Sequence, residues 1–189
     1  IDLPRAFGRR RLAIGMAGAV LILLWILNEL SFDGFHSKKD RLYLVYNNVD
    51  YNGKKVTWGS TPMVMATVLK NYPEVESITR VNWVAAFTLK TGDKQLQSQG
   101  YLVDPAFLTM FDFPLLQGNA TTALNAPHSI IITDKLSKKL FGHTHALGQM
   151  IRIDSNALFT VTGVMKDLPY NTHFNFEYLV PWTYMKQVG

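Results

Sequence analysis

A single uncharged stretch near the amino terminus limits what this chain can fold into. The run from Leu12 to Asn28 contains 17 residues and no formal charge. As an α-helix it would be about 26 Å long, and a further turn to Phe32 would bring it to the thickness of a bilayer's hydrocarbon core, about 30 Å. We therefore predict a transmembrane helix over residues 12–32, followed by a domain in water.

Three other interpretations of this stretch stay open. A buried core helix is one, although such helices usually carry a polar stripe and this run has none before Asn28. A cleaved signal peptide is the second, although the apolar run is long and no small-x-small cleavage site follows it. A twin-arginine export signal is the third, and it rests only on the adjacent arginines before the run.

Charged residues on the two sides of the run predict its orientation. Four arginines closely precede the run, whereas the residues after it carry charges of mixed sign, beginning with Glu29 and Asp33. Positively charged flanks usually remain in the cytoplasm. We therefore predict that residues 1–11 form a basic cytoplasmic segment and that residues 33–189 lie outside. The four arginines are Arg5, Arg9, Arg10 and Arg11.

The composition favours a folded domain and argues against nucleic-acid binding. Hydrophobic residues make up 48% of the chain and charged residues 17%, so there is enough apolar material for a core. The formal charge is +5, but the first eleven residues hold four arginines against one aspartate, which leaves +2 for the rest. That remainder has no basic run with interleaved aromatic residues. Cysteine is absent, which excludes disulfides and thiolate metal sites.

Hydrophobic and turn patterns after the run predict an α+β fold with mainly antiparallel pairing. Asn52-Gly53 and Gly92-Asp93 indicate tight hairpin turns. Thr133 or Asp134 is predicted to cap a short amphipathic helix that stops at Gly142. The predicted strands are 41–50, 54–58, 77–90 (one strand or a pair), 94–102, 129–133, 148–154, 157–165 and 174–181, with a turn at Ser155-Asn156. The predicted helices are 61–71, 104–111 and 134–141.

No combination of residues in the sequence indicates catalysis, a cofactor site or a metal site. His143 and His145 are the only close histidine pair, and two histidines fall short of the three or four ligands of a metal site. His36, flanked by Asp33 and Asp40, is either a group that titrates near neutral pH or simply part of a turn. There is no GxSxG and no GxxxxGK[ST] sequence, so neither a hydrolase triad nor a phosphate-binding loop is predicted.

A cluster of large apolar residues has two interpretations. It could line a hydrophobic groove for a ligand or partner, or it could form the core of a subdomain. The cluster consists of Phe107, Met110, Phe111, Phe113, Leu115 and Leu116.

Seven phrases of the sequence, taken in order, point to one family. The first four are ELSFDGFH directly after the apolar run, DRLYLVY, NYPEVESITRV and VDPAFLTMFDFPLLQGNATTAL. The other three are SIIITDKLSKKLFG, GQMIRID and FTVTGVMKDLPYNTHFNFEYLVPW. Together they resemble the periplasmic core domain of MacB-like ABC transporter permeases, of the FtsX-like permease family. The resemblance runs from about Leu12 to the end of the chain.

The resemblance implies a permease subunit of a homodimeric transporter in the inner membrane, with its ABC ATPase on a separate cytoplasmic chain or domain. It also implies a periplasmic domain of two lobes. A membrane-proximal lobe of β-α-β units would begin in residues 33–90, and an inserted lobe would occupy residues from about 91 to 189. In the family the chain then completes the first lobe and crosses the membrane three more times, so this chain is expected to be a fragment.

The resemblance also implies a function. Such domains are thought to transmit motion from cytoplasmic ATP hydrolysis to the far side of the membrane, for export, efflux or control of a periplasmic partner protein. We therefore predict a non-enzymatic permease fragment that performs this mechanotransmission and needs no cofactor. The alternative is a membrane-anchored ligand-binding or sensor module whose outer domain holds a small apolar ligand.

Overall fold

One long apolar helix precedes a sheet-rich domain. The computed structural model describes residues 3–154 and 157–185, with side chains from residue 12 onward. Helix α1 runs from Leu3 to Ser31 and contains a candidate membrane span over Leu12–Ser31, which is 20 residues long with a mean hydropathy of 2.0. No residue in the most apolar part of this span is buried, whereas the core helix of a soluble protein would be mostly buried. The helix predicted over residues 12–32 is therefore confirmed as a helix, and it begins earlier than predicted.

Nine strands and three further α-helices follow α1 in the described part of the chain. The helices are α2 (Met65–Leu69), α3 (Phe107–Met110) and α4 (Asp134–Phe141). The strands are β1 (Asn47–Tyr51), β2 (Lys54–Trp58), β3 (Ala85–Thr91), β4 (Lys94–Val103), β5 (Leu115–Gly118), β6 (Ser129–Thr133), β7 (Met150–Ile153), β8 (Ala157–Met165) and β9 (Tyr178–Pro181). Short 3-10 helices occupy Lys39–Arg41 and Trp182–Tyr184.

Strands β1 and β2 form a separate antiparallel hairpin. Its turn is the predicted Asn52-Gly53 pair, with φ angles of 53° and 76° that a two-residue hairpin turn requires. The strand predicted at 41–50 starts only at Asn47, because β2 is five residues long and pairs no further than that.

The other seven strands form one sheet that closes on itself. Its order is β5-β8-β6-β9-β4-β3-β7, and β7 also pairs with β8, so six strands make a ring with β5 attached to β8. The sheet is mixed, because β4 pairs in parallel with β9 and β6 pairs in parallel with β8. The prediction of mainly antiparallel pairing is therefore not confirmed. Local patterns show which segments are strands but carry no information on partners that lie far apart along the chain.

Several predicted elements match the structure closely. Thr133 caps α4 by accepting a hydrogen bond from the Leu136 amide at 3.2 Å, and Gly142 ends the helix with φ 81°. Strands β7 and β8 form the predicted hairpin, whose turn at Ser155-Asn156 lies outside the described residues.

Other predicted elements are shorter, and one strand was missed. The predicted helices 61–71 and 104–111 shrink to α2 and α3, and the strand predicted at 174–181 shrinks to β9. Strand β5 is absent from the predicted strands, because its short Leu-Leu-Gln-Gly sequence has no clear alternation.

Two hydrophobic cores lie on opposite faces of the sheet. Alternate residues of β6 divide between them, since Ile130 and Ile132 pack into one core and Ile131 into the other. Phe107 and Phe113 are buried in the second core. The groove interpretation of the aromatic cluster is thus wrong for these two residues, which pack inside the domain.

Gly100 on β4 is a position where the sheet leaves no room for a side chain. A Cβ atom there would collide with the ring of Tyr178 on the neighbouring strand. That ring is fully buried, and its hydroxyl donates to the Ala85 carbonyl at 2.8 Å, so it cannot move aside cheaply.

We expect Gly100→Ala to lower the free energy of unfolding by about 1–3 kcal/mol, the usual cost of overpacking a core. Thermal unfolding in detergent, followed by circular dichroism, measures the change. Gly59→Ala is the control, because nothing lies within 4 Å of a Cβ at Gly59. Equal stability of the two variants would contradict the close packing described here.

Candidate functional site

The described residues contain no assembled catalytic or metal-binding group. No cluster of three or more His, Asp or Glu side chains able to hold a metal occurs among them. His143 and His145 lie in the loop after α4, where the His143 ring stacks on Phe141 and His145 Nδ1 lies 3.1 Å from the Gln117 amide nitrogen. Both histidines are exposed and lie beside a neighbouring side chain.

An open cleft lies beside β4 and the segment that leads into β9. Its volume is about 680 Å³, and carboxamide and charged side chains such as Gln97, Lys135 and Glu177 contribute to its walls. Glu177 is already bonded, to Lys139 at 2.6 Å and to the Ser98 hydroxyl at 2.7 Å. The cleft therefore differs from the apolar groove considered from the sequence.

The most connected polar site lies where α1 meets the domain. We call it the helix–domain junction and define it as residues 31–38, residues 109–113 and residues 171–174. Its three parts come from the end of α1 and the residues after it, from the end of α3 and the residues after it, and from the loop before β9. Residues about 140 positions apart in sequence are thus bonded at the end of the apolar helix.

Asn171 binds the last residues of α1 from the far end of the sequence. Its side-chain amide donates to the Ser31 carbonyl at 3.0 Å and to the Ser31 hydroxyl at 3.2 Å. Its own carbonyl accepts a hydrogen bond from the Asp33 amide at 2.9 Å. The final carbonyls of a helix lack partners within the helix, so Asn171 supplies part of its C-terminal cap.

The Asp33 carboxylate completes this contact. It accepts hydrogen bonds from the Thr172 hydroxyl and the His173 amide, and it lies 2.7 Å from His173 Nδ1. Burial alone would raise the pKa of Asp33, but the hydrogen bonds from Thr172 and His173 outweigh it and hold the pKa below its usual value. The carboxylate therefore stays charged and bonded at neutral pH.

His36 is buried at the centre of the junction. Its Nδ1 accepts a hydrogen bond from the Asp112 amide at 3.0 Å, which places the proton of the neutral ring on Nε2. Nε2 is buried without a hydrogen-bond partner, 4.0 Å from an Asp33 oxygen. Burial lowers the pKa of His36, and the charges of Asp33 and Asp112 only partly oppose it. The aromatic rings around it are Phe35, Phe111, Phe113 and Phe174.

Two further bonds tie the junction to the region around α3. The Ser37 amide donates to the Asp112 carboxylate, and Lys38 Nζ donates to the Thr109 carbonyl at 2.8 Å. The hydrogen bond from Ser37 is the main reason that the pKa of Asp112 is lowered. The segment after the apolar helix is therefore attached to the domain from two directions.

The sequence indicates only part of this site. His36 and Asp33 stand out in it, but residues 166–173 fall between two predicted strands, so no role is predicted for Asn171, Thr172 or His173. The density of side chains that bond backbone groups, in Tyr-Asn-Thr-His, was the available signal. Nothing in the sequence indicated which distant segment those side chains would meet.

The junction is expected to weaken in mild acid through His36. Protonated imidazole has no acceptor nitrogen, so a charged His36 would lose the Asp112 hydrogen bond and bury a charge. The folded-state pKa lies below the ordinary 6.5, so this stability is complete above pH 6.5 and is lost as the pH falls through the folded value. We expect thermal stability to decline as the pH is lowered below about 6.5.

His36→Asn isolates this effect, since its side-chain oxygen can accept the Asp112 hydrogen bond without titrating in this range. We expect the pH dependence of the melting temperature to flatten in this variant, whatever its absolute stability. His143→Asn, at an exposed loop position, should keep the wild-type slope. A slope unchanged by His36→Asn would show that another group causes the pH dependence.

The sequence matches a family model over nearly its whole length. The model describes the MacB-like periplasmic core domain and matches residues 12–189. Among curated proteins, no sequence matches this chain.

Solved structures share the fold. A permease-protein domain from Porphyromonas gingivalis has a TM-score of 0.61 and 26% identity, and the match covers 74% of this chain and 62% of that one. The periplasmic region of MacB from Actinobacillus actinomycetemcomitans has a TM-score of 0.53 and 18% identity, and the match covers 66% of this chain and 57% of that one. The extracellular domain of the noncanonic ABC-type transporter YknZ from Gram-positive bacteria has a TM-score of 0.53 and 20% identity, and the match covers 65% of this chain and 63% of that one.

The matches therefore span about three fifths of each of those solved chains. The long exposed apolar helix, the sheet-rich domain bonded to its end and the family match over residues 12–189 agree with one another. The chain belongs to the family of MacB-like periplasmic core domains, which are parts of ABC-type permeases.

Proposed function

We propose that this chain is the first membrane helix and outer domain of an ABC-transporter permease subunit, and that its helix–domain junction transmits conformational change. The observation that carries the proposal is the bonding of Ser31 and Asp33 at the helix end to Asn171, Thr172 and His173. These hydrogen bonds join the end of α1 to a loop about 140 residues later in the sequence. A shift or rotation of α1 would therefore reach the folded domain directly.

The bonds at the junction suit this role because several of them involve a charged group. Hydrogen bonds to charged groups contribute about 1.5–3 kcal/mol each, more than neutral ones. Asp33 receives such bonds from Thr172 and His173, while its backbone amide is bonded separately to Asn171. A contact with several bonds resists rotation as well as separation, which is what transmission requires.

The domain on the other side of the junction is suited to move as one body. Six strands close into a ring, so each of them has a neighbouring strand on both sides and few backbone edges are free to separate. The loop that carries Asn171 leads directly into β9, which pairs with both β4 and β6 in this ring. Movement at the junction would thus enter the sheet through a central strand.

We assign the chain to a bacterial inner membrane, with residues 1–11 in the cytoplasm, residues 12–32 in the bilayer and residues 33–189 in the periplasm. The arginines before the span support this orientation through the positive-inside rule. Within the outer domain, residues 33–90 are assigned to a membrane-proximal lobe and residues from about 91 to 189 to an inserted lobe. Strand β3 pairs across that boundary with β4, so the two lobes would share a hairpin.

The partners we propose follow from the family. They are a cytoplasmic ABC ATPase, a second copy of the permease in a homodimer, and a periplasmic partner protein for export or efflux. The alternative of an apolar ligand-binding sensor is less well supported, because Phe107 and Phe113 of its predicted groove are buried in the second core.

The proposed orientation can be tested with single cysteines, because the chain has none of its own. Asp93→Cys lies in the exposed turn between β3 and β4. We expect a membrane-impermeant maleimide added to spheroplasts to label Asp93→Cys, and to label Arg5→Cys only after lysis. The reverse pattern would place the domain in the cytoplasm and reject the orientation.

The proposed transmission can be tested in the complete transporter with its ATPase. A spin label at Asp93→Cys in each permease copy reports the distance between the two domains. We expect ATP to change that distance in the otherwise unchanged protein, and Asp33→Ala to reduce the change by about half or more by removing about 2 kcal/mol of hydrogen bonding.

Asp50→Ala is the matched control, since its carboxylate bonds only within the β1–β2 turn, to the Gly53 amide at 2.9 Å. The ATPase rate is measured in parallel, so that loss of transmission is separated from loss of hydrolysis. An ATP-driven distance change of full size in Asp33→Ala would reject the junction as the transmitting contact.

A further inference from the structure

Tyr170 is a large aromatic residue that the domain leaves almost uncovered. It is 84% exposed, among the most exposed of the large hydrophobic side chains. It lies in the loop between β8 and β9, and the next residue is Asn171, which binds the end of α1. An aromatic ring is thus presented to its surroundings beside the end of an apolar helix.

The position of this ring relative to a bilayer follows from the length of the helix. The candidate span Leu12–Ser31 has 20 residues, and at about 1.5 Å per residue it matches a hydrocarbon core of about 30 Å. Ser31 then lies at the boundary between hydrocarbon and headgroups. Asn171 is bonded to Ser31 at 3.0 Å, so its neighbour Tyr170 falls within the headgroup layer, which is roughly 5–8 Å deep.

We propose that the loop Leu168–His173, which we call the Tyr170 loop, rests on lipid headgroups, with the Tyr170 ring inserted at the membrane–water interface. The inference rests on the proposed membrane span of α1. Tyrosine is enriched at this depth because its ring is apolar while its hydroxyl keeps a polar partner. The partner that this surface fits is therefore a lipid bilayer.

Neighbouring residues extend the same surface. Phe32 directly follows α1, and its ring packs 5.1 Å from the His173 ring. Phe35, three residues further on, keeps 37% of its surface exposed. Aromatic rings from both ends of the sequence therefore meet at the depth where membrane proteins carry aromatic belts.

A lipid contact at the Tyr170 loop would give the domain a second attachment to the membrane. The first is α1 itself, which is covalently continuous with residue 32. A body attached at one point can swivel about it, whereas a second contact fixes its tilt. Under the proposed function, this second contact would convert a movement of α1 into a defined movement of the domain rather than free rotation.

Site-directed spin labelling of the cysteine-free chain tests the contact. The whole 189-residue chain is reconstituted into phosphatidylcholine vesicles with a nitroxide at Tyr170→Cys, at Val20→Cys in the middle of the span, or at Asp93→Cys. Asp93 is the aqueous control, because the ten residues of β4 place it about 30 Å from Val103, the junction end of that strand. Collision rates with oxygen and with a water-soluble nickel chelate are measured at each position.

We expect the ratio of oxygen to nickel collisions at Tyr170→Cys to exceed that at Asp93→Cys several-fold and to fall below that at Val20→Cys. A ratio at Tyr170→Cys equal to that at Asp93→Cys would show a water-exposed loop and overturn the proposal. Low collision rates with both reagents would show a protein contact, such as a second copy, and would also overturn it.

The Val20→Cys measurement separates this inference from the proposed membrane span. Nickel access at Val20→Cys would reject the span itself, and with it the anchored-permease assignment. A lipid-facing Val20→Cys together with a water-exposed Tyr170→Cys would reject only the lipid contact of the Tyr170 loop.

Discussion

The C-terminal end of α1 is the constraint on which the rest of the structure depends. The last carbonyls of a helix lack internal partners, and this end of the helix dipole carries partial negative charge. No basic residue lies in the last turn of α1, and Asp33 adds a further negative charge just beyond it. The hydrogen-bond donors that compensate this negative charge come from Asn171, Thr172 and His173. The domain is therefore part of the cap of the long apolar helix that precedes it.

The sheet provides a firm base for that cap because its central strands are buried on both faces. Every residue of β6 and β9 is buried, and their side chains alternate between the two cores. Strands in this position read as continuous apolar runs, which is why SIIIT and YLVP look alike in sequence. The Tyr178 ring on β9 occupies the space that a side chain at Gly100 on β4 would fill, so these two strands pack closely at this point. Such packing leaves little freedom for the segment that leads into β9.

Features encoded locally could be predicted from the sequence, and features that depend on distant partners could not. The β6–α4 unit was predicted in full, since Thr133, Gly142 and the apolar spacing between them all act within ten residues. The Asn52-Gly53 hairpin is of the same kind. The parallel pairing of β4 with β9, and the bonds from Asn171 to the end of α1, join segments that are far apart in the chain. Composition and periodicity carry no signal for such contacts, so the polar half of the junction was missed.

The contrast between two routes from the helix to the sheet explains why the junction matters. The covalent route runs through residues 42–84, where no residue is buried, and the ion pair between Arg41 and Glu76 at its start is solvent-exposed. A separate two-stranded hairpin on this route adds little stiffness, because such hairpins are marginally stable alone. The non-covalent route crosses from Asp33 to the Tyr170 loop in one step and enters a buried strand a few residues later. Under the proposed function, a displacement of α1 would follow the stiffer route, so the residues that govern coupling would include Asn171, Thr172 and His173 near the far end of the sequence.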